Sequence, residues 1–339
     1  MSVGEYPIIK ISVVIIAYLR KEYIVKAVES VLDQDFHRDK YEIIVIKNFS
    51  DTFIDEFLQK NHVLSVLSTH TEIGRKFAEG LRISAGEIVC FLEDDDVFLR
   101  SKLSEVYNIF NQHRDLIYFH NNASFIDENG VPIENFSTMS SRGIARVNEM
   151  YVKNEDKDNE IFRLFDLGPY WNNSCISLRK SHFLGSLGVL SNIKAMFDGA
   201  VFFSALCSDG DILLTGKVLN YYRVNRNSVT QVTKFDDQAY FHISMLNLDD
   251  IEVIERTVNA SLGKQSKTFA RLMVDRMSWE LRKLIYSRFS GRRDALKYLL
   301  RLVQDHKVSP SLIKSNLLQL SALLIFLVSP KMSRKSKIA

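Results

Sequence analysis

Four carboxylates stand in a row, Glu93-Asp94-Asp95-Asp96, directly after the apolar run Glu87–Leu92 (EIVCFL). Adjacent carboxylates repel one another, and packing gives no reason to gather them at the end of a buried strand. A hard divalent cation would neutralise them. Ions such as Mg²⁺ take oxygen ligands, typically one or two carboxylates completed by water and substrate phosphates. The plainer alternative is a solvated acidic turn that caps the following helix.

The elements that must position this cluster follow from the hydrophobic pattern. Ile11–Ala17 (ISVVIIA) and Tyr41–Ile46 (YEIIVI) are near-continuous β-branched runs, as expected of strands buried on both faces. Val63–Leu67 and Glu87–Leu92 read as two more strands, Leu116–His120 begins another, and Ser174–Leu178 and Lys217–Tyr222 are short later ones. Helical spacing fills the gaps over 23–32, 54–61, 75–84 and 101–112, the last with Ser101 as a cap, and again from about 236 onward. Strands alternating with helices imply a parallel sheet covered on both faces, which binds ligands at the carboxyl ends of its strands. The carboxylates lie at such an end. Asp127-Glu128-Asn129-Gly130 signals a hairpin turn, and the polar stretch 137–158 is expected to be a mobile loop over the site.

Composition narrows the class. Of 339 residues, 46% are hydrophobic and 25% charged, which excludes a disordered chain, a collagen and a small disulfide scaffold. The net charge of +3 hides an asymmetry: residues 1–250 hold 26 Lys+Arg against 35 Asp+Glu, whereas residues 251–339 hold 18 against 6. The acidic part suits a cation and the basic part an anionic surface. Cys90, Cys175 and Cys207 form no CxxC pair; Cys90 in its apolar run reads as a buried free thiol, and a reducing cytoplasm is expected. Met1–Lys10 shows no secretory pattern.

With these elements placed, the segment Ile11–Arg226 resembles the family 2 glycosyltransferases, which have the GT-A fold. Ser12–Tyr18 is similar to their first strand, Tyr23–Phe36 (YIVKAVESVLDQDF) to the helix after it, and Tyr41–Ile46 to the second strand. Gly74, Ala85-Gly86-Glu87 and Phe91–Asp96 resemble the family's G…AxGE…FLDxDD series. Asn172–Phe183 (NNSCISLRKSHF) is similar to the acceptor-side strand and the helix after it, and Tyr222–Asn225 to the closing YRxH.

The resemblance implies an α/β, Rossmann-like GT-A domain over 1–235, with a nucleotide-sugar half to about 125 and an acceptor half to 235, followed by a helical extension over 236–339. It implies a nucleotide-sugar donor held by Ala17, Tyr18, Asn48, Arg75, Lys76, Glu93 and Asp94, and Mn²⁺ or Mg²⁺ on Asp95 and Asp96. Glu93 replaces the motif's first Asp, and its extra methylene moves the carboxylate outward by roughly 1 Å. Asp198 stands where the family has its general base, with Phe197 in place of the usual Glu; it also suits the cap of a helix over 199–207. Asp209 and Asp211 are fallback bases, and Arg223 and Asn225 lesser donor contacts. The main departure is Lys47-Asn48 after the second strand, where the family has acidic residues that recognise the base. Asn48 can still donate and accept; Lys47 cannot accept. No QxxRW follows Asp198, which implies transfer of one sugar per encounter.

The implied reaction is inverting transfer to a hydroxyl of a glycan or lipid-linked acceptor. A non-catalytic GT-A-like subunit that tethers another transferase is the alternative, because of Lys47 and Glu93. A nucleotidyltransferase is disfavoured, since Ala17–Lys21 contains no glycine. In the basic part, the apolar run Leu317–Val328 is too short for a span of about 20 residues and is followed by Lys331, Arg334, Lys335 and Lys337. It is expected to lie at the cytoplasmic membrane face as a peripheral contact, or else to pack on protein, including a second copy. No nucleic-acid motif accompanies the charge.

Overall fold

Strand β1 (Ile11–Ala17) runs through the middle of the sheet with every residue buried, the outcome its unbroken β-branched sequence demands. The structure, a computed structural model, describes residues 9–18, 21–134, 143–225 and 237–261. Parallel neighbours flank β1: β2 (Tyr41–Lys47) on one side and β4 (Ile88–Glu93) on the other. Strand β3 (Leu64–Leu67) pairs with β2 and forms the edge. Helices α1 (Ile24–Leu32), α2 (Thr52–Lys60) and α3 (Ile73–Ile83) make the crossovers, and α4 (Lys102–Gln112) follows the short strand β5 (Val97–Phe98). The chain leaves β1 towards β2 and β3, then returns to β4 on the other side. The strand order therefore reverses at β1, and a crevice opens at the carboxyl ends there.

The rest of the sheet continues outward from β4. Strand β6 is Leu116–Ile126, β7 Glu149–Val152, β8 Ile176–Arg179 and β9 Asp211–Arg223, and the order is β3-β2-β1-β4-β8-β6-β9-β5 with β7 on β9. Strand β8 is antiparallel to β4, so its start, not its end, meets the end of β4. Strand β9 runs parallel to β6, and β6 antiparallel to β8, so β9 also ends at the edge where β4 ends. Helices α5 (Lys157–Leu167), α6 (Leu187–Leu190), α7 (Phe197–Cys207) and α8 (Asp237–Ser261) complete the described chain.

Two apolar layers cover the sheet. One joins α1, α2 and α4 to alternate residues of β1, β2 and β4; the other joins α3, α5, α7 and α8 to the opposite face. Ile251, Ile254 and Val258 of α8 belong to the second layer, so the first helix of the expected extension is built into the core of the sheet domain. Gln34 ties α1 to α4: its amide donates to Leu99 O at 2.8 Å and accepts from Leu103 N at 2.9 Å. Gly86 lets the 85–87 turn press on β1, where a Cβ would sit 2.6 Å from Ser12 N.

Several sequence expectations are corrected. The stretch expected to be a loop contains β7 and the start of α5 from 149 onward, while 135–142 lies outside the described residues. Strand β9 begins six residues before the expected Lys217, at Asp211. Ser101 stands at the N-cap of α4 without a side-chain cap bond. The 127–130 turn is present: Asp127 Oδ1 accepts from Asn129 N and Val131 N, at 2.9 and 2.8 Å. Cys90 is a buried free thiol. The apolar run 317–328 and its basic flank lie outside the described residues.

Candidate active site

Register alone brings the donor-side candidates together. Ala17 pairs with Lys47, and Ile16 with Glu93, so Tyr18, Asn48 and Asp94 emerge side by side at one sheet edge. Ala17 itself is buried in β1. The Tyr18 N–H donates to Asp94 Oδ2 at 3.3 Å, which closes the gap between the ends of β1 and β4. Lys76 of α3 reaches over the same spot, with its ammonium 4.2 Å from the centre of the Tyr18 ring. It is only 1% exposed. Burial pulls its pKa down to about 8, against the upward pull of Asp94 and Glu72. Arg75, one residue earlier, is half-exposed and turns to Glu72 at 3.9 Å. Of the two candidate cations on α3, the structure brings Lys76 to Asp94 and leaves Arg75 on the surface.

The carboxylates are not a solvated turn. Asp94, Asp95 and Asp96 are 1%, 5% and 1% exposed. The start of β8 and the end of β9 hold them from below. Ser174 Oγ accepts from Glu93 N at 3.0 Å and donates to Asp96 Oδ2 at 2.6 Å. Asn173 Nδ2 donates to Glu93 Oε1 at 2.8 Å. Arg223 donates its backbone N–H to Asp96 Oδ1 at 3.0 Å and its Nε–H to Asp95 O at 2.8 Å. Asn225 Nδ2 donates to Asp95 Oδ2 at 2.8 Å.

Asp96, one of the two expected metal ligands, is held closely by its neighbours. Its two oxygens are engaged by Ser174 and Arg223, and burial with the repulsion of Asp95 and Glu93 pushes its pKa well above the usual carboxylate range. That arrangement makes Asp96 a brace beneath the turn. The same repulsion records a surplus of negative charge around Asp95, which a divalent cation would relieve. Among the described residues no three His, Cys, Asp or Glu side chains form a cage. One or two carboxylates completed by a diphosphate still fit the preference of Mg²⁺-class ions, with Asp95 as the first of them.

Lys47 is engaged within the β2–α2 connection. Its Nζ donates to Phe49 O at 2.7 Å and pairs with Asp55 at 2.8 Å, buried against the Phe49 ring. It therefore locks the β2–α2 connection, and the departure from an acidic residue has a structural use. Asn48 follows it at the edge, half-buried. Arg223 is similarly committed: its guanidinium lies 4.6 Å over the Tyr23 ring and donates to Asp127 O and Glu128 O. It shapes the site from beneath.

Asp198 comes from α7, in the same layer as α3. Helix α7 begins at Phe197, with Met196 at the N-cap, so Asp198 lies in the first turn and is not the cap. Its Oδ1 accepts from Gly199 N at 2.8 Å. Phe197 stacks on Phe77 of α3 at 4.2 Å and meets Phe91 of β4 edge-on at 5.5 Å. Phe91 lies two residues before Glu93, so Phe197, the neighbour of Asp198, packs close to the carboxyl end of β4. On its other side the Asp198 charge helps raise the pKa of buried Tyr118, after the larger effect of burial. The Tyr118 hydroxyl donates to Pro169 O at 2.6 Å, at the turn that leads into Asn173.

The fallback acids lie elsewhere. Asp211 begins β9, at the sheet edge opposite the carboxylates, and its oxygens accept from the Tyr151 hydroxyl and from Asn154 N. Asp209 accepts from the Asn154 amide at 3.4 Å. Lys157 nearby donates to Ala205 O and Ser208 O at the end of α7.

Sequence reasoning missed Ser174, whose hydroxyl is the hub beneath the carboxylates, and Asp250, taken up below. Ser174 lay inside a recognised strand motif, but nothing local assigned its partners.

Residues 12–166 match the profile of Glycosyl transferase family 2. This segment is a family 2 glycosyltransferase domain. Curated relatives include an uncharacterized glycosyltransferase of Rickettsia bellii, 32% identical over 139 residues, or 40% of this chain and 20% of that protein. Another, from Nostoc sp., is 30% identical over 39% of this chain and 42% of its own length. The chain thus spans less than half of these relatives. Among solved structures, S. aureus TarS in complex with UDP-GlcNAc superposes with a TM-score of 0.60 at 15% identity, covering 91% of this chain and 83% of that one. The mannosyltransferase PcManGT from Pyrobaculum calidifontis, in complex with GDP-Man and Mn²⁺, gives 0.50 at 11%, covering 95% and 88%. These likenesses establish the GT-A architecture of the domain.

Proposed function

We propose that this chain is a divalent-metal-dependent, inverting glycosyltransferase that moves one sugar from a nucleotide-sugar to a hydroxyl of a glycan or lipid-linked acceptor. The observation that carries the proposal is the meeting of Asp94 and Asp95, after β4, with Lys76 of α3, while Asp198 stands at the start of α7, whose Phe197 packs on Phe91 of β4 and Phe77 of α3. The nucleotide-sugar ligands of TarS and PcManGT, and the Mn²⁺ of the latter, support the donor class and the metal.

Asp198 accepts the proton of the acceptor hydroxyl as that oxygen attacks the anomeric carbon. The bond from that carbon to the diphosphate oxygen breaks on the opposite side, so the configuration inverts. Lys76 places positive charge where the diphosphate departs, in a setting dry enough to strengthen it. Asp94 holds the ends of β1 and β4 together at the nucleotide pocket, where Tyr18, Asn48 and Glu93 face the donor. Asp95 would hold a Mn²⁺ or Mg²⁺ ion, which supplies Lewis-acid neutralisation of the leaving diphosphate. Lys47 gives no support to a non-catalytic reading, since its charge is engaged by Phe49 O and Asp55.

Among the described residues no helix is long and apolar enough to cross a membrane. The basic C-terminal sequence supports peripheral contact with anionic lipid. Flotation on anionic liposomes with and without residues 309–339 tests that contact: loss of flotation on truncation supports it, and equal flotation refutes it. Release of nucleoside diphosphate from a panel of UDP-, GDP- and dTDP-sugars tests the activity.

A further inference from the structure

Three consecutive backbone N–H groups precede helix α7, and one distant side chain takes all of them. Asp250 of α8 accepts from Lys194 N through Oδ1 at 2.7 Å, and through Oδ2 from Ala195 N and Met196 N at 2.7 and 2.8 Å. Its carboxylate is fully buried, and these bonds are what make burial of the anion tolerable. Met196, at the N-cap, has no side-chain cap bond of its own. Asp250 therefore holds the N–H groups of the N-cap and of the two residues that lead into the helix.

The segment is pinned from the other side as well. Gly74 N donates to Ile193 O at 3.0 Å, and a Cβ on Gly74 would lie 2.1 Å from Leu190 O, so α3 rests directly on this loop. Phe197 then stacks on Phe77, also in α3. Asp198 is thus carried on a segment clamped between α3, which bears Lys76, and the Asp250 carboxylate. Three donors on two oxygens fix both the height and the rotation of residues 194–196. The exposed Lys194–Asp249 ion pair beside them adds little.

We infer that Asp250 is a positioning residue: through residues 194–196 it sets the start of α7 and so the aim of the Asp198 carboxylate at the acceptor hydroxyl. The inference rests on the proposed role of Asp198 as base. It gives α8, the first helix of the C-terminal extension, a direct part in the chemistry. An error of about 1 Å in the position of a base costs on the order of 100-fold in rate, whereas donor binding at the β1–β4 edge does not depend on it.

The test compares full-length wild-type protein with Asp250→Asn, Asp198→Asn and Val258→Ala. Asn keeps the shape of Asp250 but turns an N–H towards a donor. Val258→Ala removes buried apolar contact from the same helix, two turns away, and controls for simple loss of stability. On whichever of UDP-GlcNAc and GDP-mannose the wild type releases faster with Mn²⁺, Asp250→Asn lowers kcat by at least about tenfold with donor KM within about twofold, and Val258→Ala leaves kcat unchanged well below its Tm. Hydrogen exchange of amides 194–200 quickens by at least about tenfold in Asp250→Asn while β1 and β4 stay protected.

Wild-type kcat, or wild-type exchange over 194–200, in Asp250→Asn overturns the inference. An equal loss of kcat in Val258→Ala also overturns it, since stability would then account for the effect. Wild-type turnover in Asp198→Asn overturns the underlying assignment of the base instead. If the wild type releases nucleotide from neither of these nor from any other UDP-, GDP- or dTDP-sugar of the panel, the transferase reading fails while the exchange data still decide the clamp.

Discussion

Replacing Lys76 with Met should move nucleotide affinity and protein stability in opposite directions. The Lys76 ammonium is buried beside Asp94 and over the Tyr18 ring, and burial holds its pKa at about 8. A depressed lysine pKa means that the folded protein disfavours the charged form. Stability linked to this group is fully present above the unfolded pKa of ~10.4 and is lost as pH falls through 8. Met fills similar space without the charge, so Lys76→Met should be at least as stable as wild type at pH 7, with the advantage shrinking towards pH 10.

Binding should show the reverse. A diphosphate oxygen about 4 Å from the ammonium gains about 4 kcal/mol in a medium of effective dielectric 20. Asp94 already claims part of that charge, and a charge-assisted hydrogen bond nets about 1.5–3 kcal/mol. UDP or GDP with Mn²⁺ should therefore bind roughly 10- to 100-fold more weakly to Lys76→Met. Wild-type affinity should also fall by up to about a decade per pH unit as pH rises above 8, and the variant should lack that slope. Titration calorimetry at pH 7 and 9, beside thermal unfolding, measures both quantities. A variant that is destabilised yet binds nucleotide like wild type would refute the reasoning, because Lys76 would then be a structural partner of Tyr18 and Asp94.

Three further outcomes follow from the site. Lys47→Met should lower stability by about 1–3 kcal/mol, since it strands Phe49 O and removes the ion pair with Asp55, yet leave UDP affinity within about twofold; a large loss of affinity in calorimetry would place Lys47 in the donor pocket after all. Ser174→Ala should cost about 1–3 kcal/mol in chemical denaturation, because Glu93 N and Asp96 lose a buried partner; an unchanged midpoint would contradict the brace beneath the carboxylates. Gly74→Ala should be among the more damaging methyl additions, at about 1–3 kcal/mol or more, because the obstacle is the backbone oxygen of Leu190 at 2.1 Å; a wild-type Tm would show that α3 does not rest on that loop.

What the sequence revealed divides along physical lines. The parallel half was legible because strands buried on both faces leave continuous apolar runs, and Ile11–Ala17 matches β1 residue for residue. The edge strand β3 was found from its short apolar run although most of it is exposed. Residues 149–167 escaped because their polar residues break the period, and the pairing of β7 with β9 comes from a strand 60 residues later. Helix α7 is buried nearly all round, so no face of it could be read in advance.

At the site, the carboxylate cluster was visible but its division of labour was not. Four adjacent acids differ only in the turn that aims them, and that turn is set by Ser174 and Arg223 from distant strands. Lys47 read as an odd residue at a recognition position, and only the Phe49–Asp55 contacts explain it. Asp250 lies 52 residues beyond Asp198 with no local motif, and a carboxylate that serves backbone N–H groups leaves no trace in the partner sequence.

The central claim is that the end of β4 holds a metal–nucleotide-sugar complex facing Asp198. Release of nucleoside diphosphate from UDP-, GDP- and dTDP-sugars, with Mn²⁺ and with EDTA, tests it most directly. Wild type should release from one donor class only in the presence of metal, with Asp95→Ala losing both release and metal-dependent nucleotide binding and Asp198→Asn losing release alone. Wild-type release from Asp95→Ala and Asp198→Asn, or release unaffected by EDTA, would contradict the account.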